Sequence, residues 1–376
     1  MRKNLFVRSI AAVSGIVMLA SLAACGDNIS SAGNNSGSTS TEKITGSFSG
    51  AGATSQQAAE EAWISAYMAA NSGANVTYNP TGSGAGVTTF LSGATAWAGS
   101  DKALSDDEVT QSSDKACANG TTAFDVPVYI SPIAIIFNLK GVSDAGKHIN
   151  LDADTAAKIF DGKIVKWNDP AIANQNKDLA LPDTQITVVH RSDKSGTTQN
   201  FVSYFKDQAP DSWTHELSEN WPDIPGQQSA KGTSGVVTAV KQADGTIGYA
   251  DFSQVGDLGT AAIKVGENYN EISADAGSKV IEDSEIDTSV KGDNRVVVKI
   301  NHATEAKGAY PIVLVSYDIA CPAYKDASTA KFVKSWLTYV TSDEGQQTAA
   351  SAAGSAPMSN TLRQKVVKSI DAIKTK

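Results

Sequence analysis

The sequence predicts an α/β fold, because apolar strand-like runs alternate with segments of helical periodicity. The strand-like runs are rich in β-branched residues, as expected of strands buried on both faces, and lie at Val126–Asn138, Ile186–Val189 and Tyr310–Ala320. Their alternation with helices favours mostly parallel sheets. A chain of 376 residues is long enough for about two domains.

Helical segments are indicated by apolar residues at intervals of three and four. In the first of them, Trp63 and Tyr67 lie on one face. The predicted helices cover Gln56–Ala70, Val87–Leu91, Thr197–Lys206, Phe332–Gln346 and Thr361–Ile373. The segment Gly266–Asp293 is polar and acidic, and we expect surface loops and short strands there.

The N-terminus has the pattern of an export signal. Basic residues near the start precede an apolar run from Ile10 to Ala24, which is too short and too rich in Ala and Ser for a membrane span. The run ends in LAAC, which resembles the bacterial lipobox, where the cysteine is lipidated and the chain is cleaved before it. We therefore predict a lipoprotein signal peptide at residues 1–24 and lipidation of Cys25. The alternative is an ordinary signal peptide with an incidental cysteine.

Residues 25–45 predict a flexible tether, since Gly, Ser, Asn and Thr dominate this stretch and such a segment cannot bury a core. Acyl chains on Cys25 would hold the folded body at the membrane without a spanning helix. We therefore expect an extracytoplasmic protein that is anchored to the cell membrane.

The composition argues against several functions. The net charge is −9 and the isoelectric point is near 5.0, whereas a nucleic-acid-binding protein needs basic surface to displace phosphate counterions. The four histidines are scattered, and the three cysteines include no C-x-x-C pair. We therefore expect no metal, no cofactor and no nucleic-acid partner.

Export also bears on the two other cysteines, Cys117 and Cys321. In an oxidising compartment a single remaining pair often forms a disulfide. The alternative is two separate buried thiols.

Three turns rich in glycine and hydroxyl residues each precede a helical segment. They are GAGATS at 50–55, GSGAG at 82–86 and RSDKSGT at 191–197. A helix N-terminus presents unpaired N–H groups and a partial positive charge, so it binds oxyanions well. In the third turn Arg191 can add a charge-assisted contact with two hydrogen bonds. Together the turns predict an anion site.

Each turn also has a purely structural explanation, because a hydroxyl at a helix start is often only an N-cap. None is a Walker loop or a dinucleotide fingerprint. Ser195 does not lie in a G-x-S-x-G elbow, which gives a hydrolase nucleophile little support.

The turns belong to a longer series of motifs that resembles one family. The series comprises GAGAT at 50–54, GSGAG at 82–86, GSDKALSDDE at 99–108, IFDGKIVKWNDPAI at 159–172, HRSDKSGTT at 190–198, GTIGYADF at 245–252 and YPIV at 310–313. In this order they resemble the phosphate-binding proteins that feed the phosphate-specific ABC transporter, the PstS family.

The resemblance implies a two-lobed periplasmic-binding-protein fold, type II-like, with the ligand in the cleft and two crossover strands as the hinge. Lobe I would comprise residues 46–137 and 311–376, and lobe II residues 138–310. The crossovers would be Val126–Asn138 and Tyr310–Ala320.

The resemblance also implies the phosphate ligands. They would be Thr54, the backbone N–H of Ser55, Ser83, Asp101, Arg191, Ser195, Gly196 and Thr197, with Asp193 orienting the arginine. Many members of the family have an aromatic residue where this chain has Ser55. A carboxylate such as Asp101 favours an anion only if that anion brings a proton, as phosphate does and sulfate does not at neutral pH, which would exclude sulfate.

The expected function is therefore non-enzymatic: a monomeric receptor that binds inorganic phosphate and delivers it to the integral-membrane permease of an ABC importer. One alternative is an exported phosphatase or phosphate-transfer enzyme that uses the same turns. Another is a receptor for a different tetrahedral oxyanion. The enzyme would need a nucleophile with a base, or metal ligands around an open position, and neither is evident in the sequence.

Overall fold

The computed structural model describes residues 43–143 and 146–375. The predicted signal peptide, Cys25 and the tether up to residue 42 lie outside the described residues. Within the described ranges, no helix is long and apolar enough to cross a membrane.

The described chain alternates strands and helices along most of its length. The strands are β1 Gly46–Gly52, β2 Ala74–Asn79, β3 Trp97–Ser100, β4 Phe124–Asn138, β5 Ile149–Leu151, β6 Thr187–Arg191, β7 Gln228–Ala230, β8 Thr246–Asp251, β9 Gly259–Val265, β10 Asn268–Asn270, β11 Glu285–Ile286, β12 Val298–Lys299 and β13 Val313–Ala320. The helices are α1 Gln57–Ala70, α2 Ser83–Leu91, α3 Asp106–Lys115, α4 Ala153–Phe160, α5 Pro170–Ala173, α6 Gly196–Gln208, α7 Gly232–Gln242, α8 Ala274–Glu282, α9 Ala327–Val340, α10 Asp343–Ala353 and α11 Asn360–Asp371.

Strand β4 runs through both halves of the main sheet. Its first part, Phe124–Pro132, pairs antiparallel with β13, and its second part, Ile133–Asn138, pairs antiparallel with β8. The strand order is β2-β1-β3-β13-β4-β8-β6-β7, with β9 on β4 and with β5 and β10 on β9. This arrangement is the two-lobed binding-protein fold, with β4 and the start of β13 at the crossing, and it confirms the predicted fold class.

The expectation of mostly parallel sheets is only partly correct. Strand β1 pairs parallel with β2 and β3, and β6 pairs parallel with β7 and β8. By contrast, β9 with β10, β11 with β12, and β4 with β8 and β9 are antiparallel. At the crossing, β13 is antiparallel to both β3 and β4. The sheet is therefore mixed, because the two crossing strands run in opposite directions between the lobes.

Two further predictions need correction. The helix expected at Phe332–Gln346 is two helices, α9 and α10, because the side chain of Ser342 caps a new helix by accepting from the N–H of Gly345. The segment Gly266–Asp293, expected to hold loops and short strands, also contains helix α8, which Ser273 caps in the same way.

The core of each lobe is built around large aromatic side chains. In lobe I, Trp63, Trp97 and Trp336 are fully buried, and Trp97 packs against Trp336 with ring centroids 5.4 Å apart. In lobe II, Phe201 stacks on Tyr249 at 4.5 Å. Aromatic residues of this size dominate core energetics, and both groups belong to one continuous cluster of buried side chains.

The structure joins Cys117, just after α3, to Cys321, just after β13, in a disulfide. Both residues are buried in lobe I. The antiparallel pairing of β4 and β13 brings the start of the first strand, Phe124, opposite the end of the second, Ala320. This pairing explains why two residues so far apart in sequence meet.

A part of the chain that the predicted boundaries assign to lobe II contacts lobe I. The guanidinium of Arg295 donates two hydrogen bonds of 2.8 Å to the carboxylate of Asp125 on β4, and both side chains are buried. Close by, the N–H of Val298 donates to the hydroxyl of Tyr317 on β13. Residues 295–298 therefore lie against the lobe I end of the crossing strands.

Candidate functional site

Four helix starts meet between the lobes. With the predicted boundaries, helices α1 and α2 fall in lobe I, whereas α6 and α7 fall in lobe II. The contacts between them run through hydroxyl groups: Thr54, before α1, lies against Thr233 at the start of α7, and Thr197 in α6 contacts Asp101 in lobe I. The positive ends of several helix dipoles therefore point into one small region.

Asp101 is the carboxylate at the centre of this region. It follows β3, is buried, and accepts three short hydrogen bonds from hydroxyl groups. Ser55 Oγ and Ser316 Oγ each donate to Oδ1 at 2.6 Å, and Thr197 Oγ1 donates to Oδ2 at 2.6 Å. The three hydroxyls therefore hold the carboxylate in place from both of its oxygens.

Arg191, at the end of β6, is held by Asp193. Its Nε donates to Oδ1 at 2.8 Å and its Nη2 donates to Oδ2 at 2.6 Å, a bidentate pair of defined orientation. The pKa of Asp193 lies below its ordinary value: burial raises it, but the Arg191 guanidinium and the N–H of Gly232 together outweigh burial. Asp193 is thus charged and fixes the plane of the arginine, whose side chain is itself buried.

Thr54 is held by lobe II although it belongs to lobe I. Its Oγ1 lies 2.9 Å from Thr233 Oγ1 and accepts from the backbone N–H of Thr233 at 3.1 Å. Its carbonyl accepts from Nε2 of Gln254 at 2.7 Å. These contacts join the lobes directly at the first turn.

The remaining predicted residues lie at the same place. Ser83 Oγ accepts from the N–H of Asp101 at 3.2 Å. Ser195 caps α6, its Oγ accepting from the N–H of Thr198, and its own N–H donates to the carbonyl of Glu219. At Gly196, a Cβ would lie 2.9 Å from atoms of Asp101. Only glycine therefore allows the start of α6 to approach Asp101 and the following backbone so closely.

Gly82, the residue before α2, has a specific conformational role. Its φ is 98°, a left-handed conformation that favours glycine, and a Cβ there would overlap the carboxylate of Asp193. The second turn of lobe I is thereby packed against the arginine–aspartate pair of lobe II.

Charged side chains form the outer edge of the cleft. Lys102 of lobe I lies 2.6 Å from the carboxylate of Glu108 and 3.8 Å from that of Glu219 in lobe II. Lys194 lies 3.3 Å from the same Glu219 oxygen. Arg191 is more deeply buried than either lysine, since its side chain is 2% exposed against 11% for Lys102 and 52% for Lys194.

Thr233 and Ser316 are among the residues that contact the predicted set and were not predicted from the sequence. Thr233 lies in GTSG at 232–235, a fourth glycine- and hydroxyl-rich helix start whose pattern matches the other three. Ser316 lies inside the apolar run of β13, and nothing in the local sequence distinguishes it. Across the part of the chain that the structure describes, no three His, Cys, Asp or Glu residues are grouped so as to hold a metal ion.

The comparisons with known proteins agree with this geometry. Residues 37–344 match the model of the PBP superfamily domain. A phosphate-binding protein PstS2 of Mycobacterium bovis is 36% identical over 381 aligned positions, which cover 98% of this chain and 99% of the relative. The chain belongs to the PstS family of phosphate-binding proteins.

Solved structures related to this PstS family member share its fold. A high-affinity periplasmic phosphate-binding protein, PfluDING, solved with bound phosphate, has a TM-score of 0.69 at 22% identity, covering 85% of this chain and 93% of that one. A candidate phosphate ABC transporter substrate-binding protein of Clostridium perfringens has a TM-score of 0.57 at 20% identity, covering 82% and 98%. The relatives are named as binding proteins rather than as enzymes.

Proposed function

We propose that this chain is an extracytoplasmic receptor for inorganic phosphate that delivers its ligand to an ABC-type permease without chemical turnover. The observation that carries the proposal is the position of Asp101. It is the one hydrogen-bond acceptor among the proposed ligand-binding groups, and the others are hydrogen-bond donors. Hydroxyls, helix N-termini and the Arg191 guanidinium suit the oxygens of an anion, whereas a carboxylate suits an anion that still bears a proton.

In this proposal the ligand lies between the lobes and is bound from both sides. Thr54, the N–H of Ser55, Ser83 and Asp101 bind it from lobe I. From lobe II it is bound by Arg191 and by the turn Ser195–Thr197. Asp193 keeps the guanidinium in plane. Closure is favoured because contacts from both lobes are available only in the closed form.

The transport role follows from family membership and from the expected location. The Mycobacterium bovis relative is named phosphate-binding, and the Clostridium perfringens neighbour is described as serving a phosphate ABC transporter. We propose that Cys25 carries the lipid, that residues 25–45 act as the tether, and that the body works as a monomer at the outer face of the membrane. A mass measurement of the membrane-extracted protein tests the lipid.

Titration calorimetry of phosphate-stripped protein tests the ligand. We expect phosphate and arsenate, which both carry a proton at neutral pH, to bind much more tightly than sulfate. Equal binding of sulfate would overturn the ligand assignment and favour a general tetrahedral-oxyanion receptor. Steady release of phosphate from phosphate esters would favour the exported phosphatase instead.

A further inference from the structure

The hydrogen bonds around Asp101 leave little of its accepting capacity free. An ionised carboxylate has about four lone-pair positions, two on each oxygen. Ser55 and Ser316 occupy both positions on Oδ1, and Thr197 occupies one on Oδ2. One position therefore remains, on Oδ2, the oxygen that faces lobe II through Thr197.

The direction of the Ser316 hydrogen bond is set by a second contact. Its Oγ accepts from Nε2 of Gln56 at 2.7 Å and lies 2.6 Å from Asp101 Oδ1. Because the hydroxyl has a single proton, accepting from the amide directs that proton to the carboxylate. Ser316 is thus a donor of fixed direction, and its side chain is fully buried.

The backbone supports the same arrangement. Ser316 pairs with Tyr129 of β4, but the next residue, Tyr317, pairs with Pro127, so the register shifts between Ser316 and Tyr317. A β-bulge of this kind changes the direction in which neighbouring side chains point and is frequent beside functional sites. The crossing strand thereby brings a hydroxyl to Asp101 across 215 residues of sequence.

We propose that Ser55 and Ser316 are positioning residues that fix the Asp101 carboxylate with one acceptor free, so that the site selects a tetrahedral oxyanion by a single ligand proton. This inference rests on the proposed function and adds Ser316 and the side chain of Ser55 to it. It also gives the Ser55 side chain a role beside that of its backbone N–H. Phosphate can fill the free position with its proton, whereas sulfate leaves it unpaired against a like charge.

The test is to measure the affinities of inorganic phosphate and sulfate for Ser316→Ala and Ser55→Ala. The sulfate affinity is measured by competition with bound phosphate. Either change frees the carboxylate to rotate away from the ligand proton. We expect the phosphate Kd to rise about 10- to 100-fold, the range for one lost hydrogen bond to a charged group. The sulfate Kd should change by less than about threefold, because sulfate makes no proton contact with Asp101. Ser316→Cys, which keeps the volume but donates weakly, should behave like Ser316→Ala.

Ser112→Ala is the matched control. Ser112 is an equally buried lobe I serine, which bonds to Val109 and Ala123 and lies away from Asp101. It should lower thermal stability and leave the phosphate-to-sulfate ratio unchanged. The inference would be overturned if Ser55→Ala and Ser316→Ala both had the same ratio of phosphate to sulfate affinity as Ser112→Ala. Wild-type protein that fails to prefer phosphate would overturn the proposed function instead.

Discussion

Thr54 and Thr233 come from different lobes and bond to each other, Oγ1 to Oγ1 at 2.9 Å, while the N–H of Thr233 donates to the same Thr54 oxygen. The backbone N–H of Thr233 occupies one lone pair of Thr54 Oγ1, and either hydroxyl can donate in the bond between the two side chains. These bonds exist only when the lobes face each other. Thr233 therefore couples closure to the position of the Thr54 side chain.

Removing that hydroxyl should weaken the closed form. We expect Thr233→Val, which keeps the side-chain volume, to raise the phosphate Kd by about 3- to 10-fold, the effect of one neutral hydrogen bond. Small-angle scattering should show less compaction on adding phosphate than for the wild type. The control is Thr238→Val in the same helix, where the hydroxyl is exposed and bonds only to the carbonyl of Ser234. Equal affinities for the two variants would contradict the coupling.

Arg191 should be the largest single contributor to affinity. Arg191→Ala leaves a buried anion without its main counter-charge, and truncating one side of such a pair costs about 2–5 kcal/mol. The phosphate Kd should therefore rise by roughly 30-fold to several thousand-fold. Arg191→Lys keeps the charge but not the two-point contact with Asp193, so titration should place it between the wild type and Arg191→Ala. A lysine variant as weak as the alanine variant would mean that orientation matters more than charge.

Asp101→Asn should change anion binding in a different way from Arg191→Ala. The amide cannot serve as a charged acceptor, so phosphate binding weakens, but the like-charge repulsion toward sulfate disappears. The ratio of phosphate to sulfate affinity should therefore fall, because phosphate binds more weakly and sulfate binds more tightly. Competition titrations with both ions test this outcome. An unchanged ratio would show that the carboxylate does not determine the choice of anion.

The parts of the site that could be predicted are those with a local pattern. Glycines and hydroxyls gathered before a helical repeat marked the turns that contain Thr54, Ser83 and Arg191, and the structure brings all three turns together. Thr233 carried the same pattern and could have been found. Ser316 could not, because its role depends on the pairing and register of β13, which a single apolar run does not reveal. The direction of the crossing strands was hidden for the same reason.

A buried pair of carboxyl groups beneath the site predicts how stability depends on pH. Burial raises the pKa of Asp318 to about 8, with Trp336 lowering it in part. Burial, followed by the charge of Asp318, also raises the pKa of Glu60 well above its ordinary value. Between the ordinary pKa near 4 and about pH 8, the folded protein binds a proton that the unfolded chain has released. The free energy of unfolding should therefore fall as the pH rises through this window.

Asp318→Asn should remove much of that dependence. Urea denaturation at pH 5 and pH 9 should show a smaller loss of stability in the variant than in the wild type. Asp326→Asn is the opposite case, since hydrogen bonds from Ser328 and then Thr329 lower the pKa of this exposed N-cap to about 2. Asp326 contributes to the free energy of unfolding above about pH 4, and this contribution is lost as the pH falls through about 2. Asp326→Asn should therefore leave the change in stability between pH 5 and pH 9 as it is in the wild type. A wild-type stability that rises from pH 5 to pH 9 would contradict the raised pKa values.

The bond between Cys117 and Cys321 should contribute strongly to stability because it closes a loop of 204 residues. On the chain-entropy model a loop of this length corresponds to about 5 kcal/mol, and measured values are often smaller. Cys117→Ala, Cys321→Ala and the double variant should lose nearly the same free energy of unfolding, since each breaks the same bond, and reductant should destabilise only the wild type. If the two cysteines were independent thiols, the losses would add and reductant would change nothing. Alkylation of the denatured, non-reduced protein should find neither thiol free, whereas two modified thiols would contradict the bond.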